Sequence, residues 1–524
     1  MIREVAQHLE IELNKFHGAT MIANWIEFGQ VSAERDDNLS EYFFENGVLQ
    51  LVIGNRHQFL VLGRKGAGKT AVFKHLSENP KKFLGPNDIA TSLSLQNYSW
   101  DVHSLLSTDG KAPSLAYIHS WKYVIYLFAL KELISKNINS PKIKIAKQII
   151  EKVYTSPFPK LGDVLGQKLL QLSKLKLPSG TLDFDGFEID KVGMSGGEIT
   201  FSDVKKNNSL QISLNRSLER LSDIFEDALL DTLGQERRVF VTFDRIDEAW
   251  DSASFESSQR IIAGLIGAAE AISGKFRGVL RPVIFLREDI FDTLSLNDKN
   301  KLKSDCGQLL AWTKDGLSRM ILERVNFFAR KSNNSEFADI DGLFDRNQMR
   351  QARAPFDYIM LRTMLRPRDF IRLLQLVKED MQNRQNNPFD KDVVNNEKLE
   401  CRSIYNAEAK YSDWLIQEIR DEWQVQFPRI NTLFSAIQNH GATTLTAEDL
   451  CNSLRQLERI ASTRDINADL RFLFDNSIIG FRVGKSQQWK FKCFFTAQGF
   501  VESAIYKVHD GLHSGLNLTE RRKS

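Results

Sequence analysis

Residues 57–70 read His57-Gln-Phe-Leu-Val-Leu-Gly63-Arg-Lys-Gly-Ala-Gly68-Lys69-Thr70, an apolar run that breaks into glycines and closes on Lys-Thr. The stretch His57–Leu62 is expected to be a buried strand, and Ala71–Ser77 the start of a helix. Between them the spacing G-x-x-x-x-G-K-T matches the phosphate-cradling loop that joins a strand to a helix. The chemistry requires these residue types. Glycines let successive backbone N–H groups turn inward around an anion without a Cβ in the way. The helix N-terminus adds partial positive charge. The segment Gly63, Arg64, Lys65, Gly66, Ala67, Gly68, Lys69 and Thr70 is therefore the expected phosphate site. Lys69 is aimed at the outer phosphates, and the Thr70 hydroxyl at a Mg²⁺ ion.

Such a loop needs an acid at the tip of another core strand. Arg238-Val-Phe-Val-Thr-Phe243 is the most strand-like run in the chain, and it ends on Asp244, the second expected metal-side residue. The next residue is Arg245, which cannot accept a proton. The carboxylates left to polarise water are Asp247 and Glu248. Glu248, with one more methylene, is expected to do more of this than Asp247. A further strand, Pro282–Leu286, leads into Arg287-Glu-Asp289, with Arg287 placed to sense a terminal phosphate. Leu365-Arg366-Pro367-Arg368-Asp369 sets Arg368 near a helix start, where the dipole disfavours a cation and an anionic partner is implied.

Strands separated by helices argue for a parallel α/β sheet. The expected organisation is a helical leader over 1–40 and a nucleotide-binding core over 41–330. An insertion at about 155–215 alternates like a β-hairpin. A helical lid is expected over 331–400, and a helical, winged-helix-like unit over 401–524. In that last unit Ile430–Asn439, Ala442–Leu445, Thr446–Ile460 and Asn467–Asn476 precede a two-stranded wing, Ile479–Val483 with Trp489–Phe495. The wing carries Arg482, Lys485, Lys490 and Lys492, which makes DNA a candidate ligand.

Composition narrows the classes. At 524 residues, 42% hydrophobic and 26% charged, the chain is long enough for several cores and is neither collagenous nor disordered. A net charge of +3 shows no global excess for nucleic acid. The four cysteines are scattered with no CxxC, which excludes a zinc ribbon and fits a reducing cytoplasm. No apolar run is long enough for a membrane helix, and the N-terminus lacks a signal-type core. Met194-Ser-Gly-Gly-Glu198 imitates an ABC-transporter signature, but its flanks alternate as a hairpin turn does.

Taken together, GRKGAGKT, VFVTFDRIDEAWD, FLREDIF and RPRDFIRLL resemble the bacterial STAND/KAP-type P-loop ATPases of the additional-strand, AAA-like division, most nearly a stand-alone bacterial group with a leader such as Ser32-Ala-Glu-Arg-Asp36. The resemblance spans most of 25–380. It implies ATP and Mg²⁺ as cofactors, Asp244 on the metal, Arg287 as a sensor and Arg368 as a lid arginine. It also implies a nucleotide-dependent switch read by a partner protein, in phage defence or DNA maintenance, with a homo-oligomer and DNA as further candidate partners. Arg245, in place of the usual acid, implies slow hydrolysis. The alternatives are a DNA-dependent ATPase using the winged helix and a nucleotide-binding module without turnover. No membrane pair interrupts the core, so no membrane attachment is expected.

Overall fold

The computed structural model describes residues 21–520 apart from 97, 108–116, 177–187, 190–200, 235, 250–254, 388, 390–396, 459–465 and 485–487. The chain forms two compact units, 45–311 and 1–44 together with 312–524.

The first unit is built on a five-stranded sheet. Its strands are β1 (Leu60–Gly63), β2 (Ile89–Ser94), β5 (Val239–Asp244), β6 (Leu280–Arg287) and β7 (Gly307–Leu309). Two more strands, β3 (Leu175–Lys176) and β4 (Glu188–Ile189), pair antiparallel within the expected insertion, most of which lies outside the described residues. The main sheet runs β2-β5-β6-β1-β7, and every pairing is parallel. Parallel strands are covered on both faces and read as continuous apolar runs. Leu60, Val61 and Leu62 of β1 and Val239 to Phe243 of β5 are accordingly buried throughout.

The order matters for the site. β6 lies between β1 and β5, with Gly63 level with Arg287 and Phe243 level with Ile284. The tips that carry the loop, Arg287 and Asp244 are thus three adjacent strand ends. In parallel sheets ligands bind beyond the carboxyl ends of the strands.

Around the sheet lie α1 (Lys69–Glu78), α2 (Ile118–Ser135), α3 (Pro141–Tyr154), α4 (Asn208–Thr232) and α5 (Phe255–Lys275). α2 is apolar nearly all round, and a helix of that kind belongs inside. Trp121 is fully buried, donates its indole N–H to the Ile261 carbonyl at 2.9 Å and meets Phe243 edge-on. α3 starts where its sequence says: Pro141 sits in the first turn and the Ser140 hydroxyl accepts from the Ile143 N–H. Among the described residues no helix is long and apolar enough to cross a membrane.

The second unit has one hydrophobic core shared by the residues around Ile22–Phe28, the helices α6 (Lys314–Lys331), α7 (Pro367–Gln385) and α8 (Cys401–Trp423), and the C-terminal elements. The expected boundaries at 40, 330 and 400 therefore differ from the observed ones. Ile22, Ile26 and Phe28 are buried in the second unit's core, and Arg324 and Gln375 donate to the Phe28 and Gly29 carbonyls.

The C-terminal elements are α9 (Ile430–His440), β8 (Thr444–Leu445), α10 (Ala447–Glu458), α11 (Ile466–Asp475), β9 (Ile479–Phe481) and β10 (Tyr506–Val508), with an antiparallel sheet in the order β8-β10-β9. This is the element order expected over 430–481. The second wing strand is a correction. Residues 489–495 give a single bridge, Lys490 to Phe481, and then turn with the Phe494 and Phe495 N–H groups both on the Phe491 carbonyl. Phe491 and Phe494 pack against His509 instead.

Candidate functional site

The loop between β1 and α1 is shaped by two glycines. Gly66 and Gly68 have φ of +81° and +97°, a region that side chains rarely enter. α1 begins at Lys69, so Lys69 and Thr70 occupy its first turn, where backbone N–H groups have no helical acceptor. The half-buried Lys69 folds back over the loop, and its Nζ donates to the Gly63 and Arg64 carbonyls at 3.0 and 3.1 Å. Withdrawal from water lowers its pKa. Asp247 opposes this most strongly, while the charge on Arg287 adds to it, and Asp244 and Asp289 also oppose it. One ammonium thus lies in the field of four groups that the sequence scatters from 244 to 289.

Asp244, at the tip of β5, is 3% exposed. Burial raises its pKa to about 6, against hydrogen bonds from the Thr70 hydroxyl and the Arg245 N–H. Its Oδ2 is buried and has no hydrogen-bond partner. A buried carboxylate oxygen with no donor, on an acid that touches a threonine hydroxyl, suits a hard cation that takes oxygen ligands. The residues present therefore fit Mg²⁺, with Asp244 and Thr70 as its holders. Among the described residues no cluster of three or more His, Cys, Asp or Glu forms a dedicated metal cage.

Arg245 has φ +62°, strained for a residue with a side chain. Its guanidinium reaches the Gln96 side-chain oxygen at 2.8 Å and Glu248 at 2.5 Å. Glu248 is thus engaged by the arginine that directly follows Asp244. The charge of Asp247 acts on both Lys69 and Asp244. Arg287 is 8% exposed and forms a two-point pair with Asp289, at 3.1 and 2.6 Å.

Arg368 lies in the second unit, in the first turn of α7, and donates to Glu418 of α8 at 2.9 Å. Of the wing cations, Arg482 stacks on Trp489 and Lys490 on Phe495, while Lys492 donates to the Gln498 carbonyl. Lys485 and the Met194–Glu198 stretch lie outside the described residues. Asp289 was a candidate partner of Arg287 from its place two residues on, whereas Gln96 follows an unremarkable strand and gave no signal.

Residues 315–420 match the family model described as the FunZ-associated C-terminal helical domain. The chain is 25% identical over 427 residues to a protein of Escherichia coli (strain K12) called the putative transposon gamma-delta 80.3 kDa protein; the match takes in 79% of this chain. The chain spans 54% of that relative's length. Among solved structures, Cdc6p from Pyrobaculum aerophilum aligns over 92% of this chain and 93% of its own, at 12% identity and a TM-score of 0.29. The parallel sheet with β6 between the loop strand and the acid strand, and the glycine loop at its tip, make this a P-loop NTPase-like fold.

Proposed function

We propose that this chain is a Mg-ATP-binding ATPase of slow turnover, whose nucleotide state is read by a partner protein. The observation that carries the reading is the juxtaposition at the strand tips. Asp244 holds a buried oxygen without a donor beside Thr70, and the Lys69 ammonium rests on two loop carbonyls. A bound Mg²⁺ supplies charge neutralisation between phosphate oxygens.

The chain's own residues do the rest. Lys69 exchanges its two carbonyls for phosphate oxygens, a charge-assisted contact and so a stronger one. The N–H groups of the first turn of α1 hold the remaining oxygens. Arg287 is placed to leave Asp289 for a terminal phosphate. Asp247 orients water. Arg245 keeps an acid out of the neighbouring position and ties up Glu248, which is the ground for slow turnover. ATP rather than GTP rests on the resemblance to P-loop ATPases, and the sequence shows no N/TKxD guanine-reading motif. The relative's naming as a transposon protein favours a role in DNA maintenance over phage defence.

Titration calorimetry of the full chain with Mg·ATP tests the reading. The wild type is expected to bind, and Lys69→Ala to lose several kcal/mol, about a hundredfold or more in affinity. Equal affinity in the two proteins would overturn it.

A further inference from the structure

Residues 346–353 read Arg346-Asn-Gln-Met-Arg350-Gln-Ala-Arg353, and neither the nucleotide chemistry nor the expected wing uses them. All three arginines are exposed. The segment carries no acid. The nearest upstream carboxylate, Asp345, accepts the Cys401 N–H at 2.8 Å and stands 3.7 Å from Arg346, whose side chain stays 70% exposed.

The segment is also held in one shape. Met349 is buried, and its N–H donates to the Arg353 carbonyl at 2.8 Å, which closes a tight loop. The Arg350 N–H donates to the Tyr405 hydroxyl at 2.9 Å, and the Arg350 guanidinium lies 4.5 Å from the Tyr405 ring centre. Gln351 and Ala352 both have positive φ, +62° and +52°. Two successive side-chain residues in that region are costly, and such strain persists only where the surroundings fix it.

We infer that the Arg346–Arg353 loop is a docking surface for the phosphate backbone of a nucleic acid. An arginine fork matches phosphate oxygens, and stacking on tyrosine leaves its N–H edge free to donate. A loop fixed before contact loses little ordering entropy on binding. The loop displays three exposed arginines within eight residues, so it suits a repeating polyanion rather than one phosphate. Its exposed residues are Arg, Asn, Gln and Ala with no large apolar side chain, which disfavours a membrane, where an apolar face must enter the lipid. The expected wing is less suited: Arg482, Lys490 and Lys492 are half-buried, two on aromatic rings and one on a carbonyl. The inference does not depend on the nucleotide reading.

The test is fluorescence anisotropy of the full chain with a short labelled duplex DNA, over about 50 to 200 mM salt. Arg346→Ala with Arg353→Ala is expected to weaken binding about tenfold at low salt. It should also make the log–log salt slope shallower by about two, since each lost phosphate contact removes about 0.9. Arg482→Ala with Lys490→Ala is expected to change neither. Far-UV dichroism and Mg·ATP affinity of the loop variant should match the wild type, which separates a lost surface from a lost fold. Absence of salt-dependent DNA binding by the wild type overturns the inference. So does a loop variant with wild-type slope and affinity, or loop-dependent binding to phosphatidylserine vesicles without binding to DNA.

Discussion

Asp244 carries a cost that its neighbours relieve only in part. Burial holds its pKa at about 6 although Thr70 and the Arg245 N–H both donate to it. A raised folded-state pKa means that this group's contribution to stability is complete below about 4 and is lost as the pH rises through about 6. The loss amounts to about 3 kcal/mol at most. Asp244→Asn removes it, so the metal-free variant is expected to melt higher than wild type at pH 7.5 and close to it at pH 4. The same variant should lose Mg²⁺-dependent nucleotide affinity. A melting difference independent of pH would mean that the carboxylate is not held as described. The neighbouring carboxylates test the water-orienting role. Asp247→Asn is expected to lower kcat by about 10²-fold or more with KM little changed, and Glu248→Gln by much less, because Glu248 is bound to Arg245. Phosphate release measured on both decides, and the reverse order would return the role to Glu248. Residue types at this site were legible in the sequence: the loop, Asp244 and Arg287 were found from spacing alone. Which of two adjacent acids faces the lysine was not, because that turns on the left-handed backbone at Arg245, which no pattern of residue types announces.

Elements were legible in proportion to their burial. β1, β5 and β6 were read from apolar runs to within a few residues. β7 (Gly-Gln-Leu) is short and only partly buried, so it carries no run and was missed. Pro282 in a central strand argues against a strand on its face. It is tolerated because the Ile284 N–H, two residues on, is the one that reaches the Phe59 carbonyl, just before β1 begins. At Pro282 the missing donor faces the same side, below the start of β1. The preceding residue, Arg281, is 1% exposed and anchors this end of the sheet. Its guanidinium donates to the carbonyls of Val52, Ile53 and Asn55, which close the helix Val48–Gly54, and it lies 4.7 Å from the Phe240 ring centre. Burial lowers its pKa to about 10, so it stays charged at neutral pH. A cation on the last carbonyls of a helix suits the dipole. Arg281→Met keeps much of the volume but removes the buried guanidinium from these carbonyls, of which Ile53 keeps Arg238 and Asn55 keeps the Gln58 N–H. It is expected to destabilise by about 3 kcal/mol or more in urea unfolding, with Mg·ATP affinity reduced only as the fold is lost. A change below about 1 kcal/mol would show that water replaces the guanidinium.

At the scale of the whole molecule, the sequence placed its boundaries by texture, and the chain places them by shared core. The early segment joins the later unit because Ile22, Ile26 and Phe28 bury themselves among helices some three hundred residues on, a fact that local pattern cannot carry. Two units with separate hydrophobic cores also allow the switch reading to be tested directly. Ligand that binds only the folded state raises stability by RT ln(1 + [L]/Kd), about 2.7 kcal/mol at a hundred times Kd. Scanning calorimetry of the full chain is expected to resolve two transitions, assignable through Arg281→Met, which moves only the one for 45–311. If Mg·ATP sets a state that the rest of the chain reads, saturating nucleotide must have different affinity for two conformations of the second unit as well. Both transitions should then shift upward, and in Lys69→Ala neither should. A shift confined to the 45–311 transition would make the nucleotide a local stabiliser of the sheet tips and would sink the switch while leaving the ATP site intact. A Lys69→Ala protein whose second transition still moves would place nucleotide outside the loop, because no contact made by Lys69 could then carry the effect.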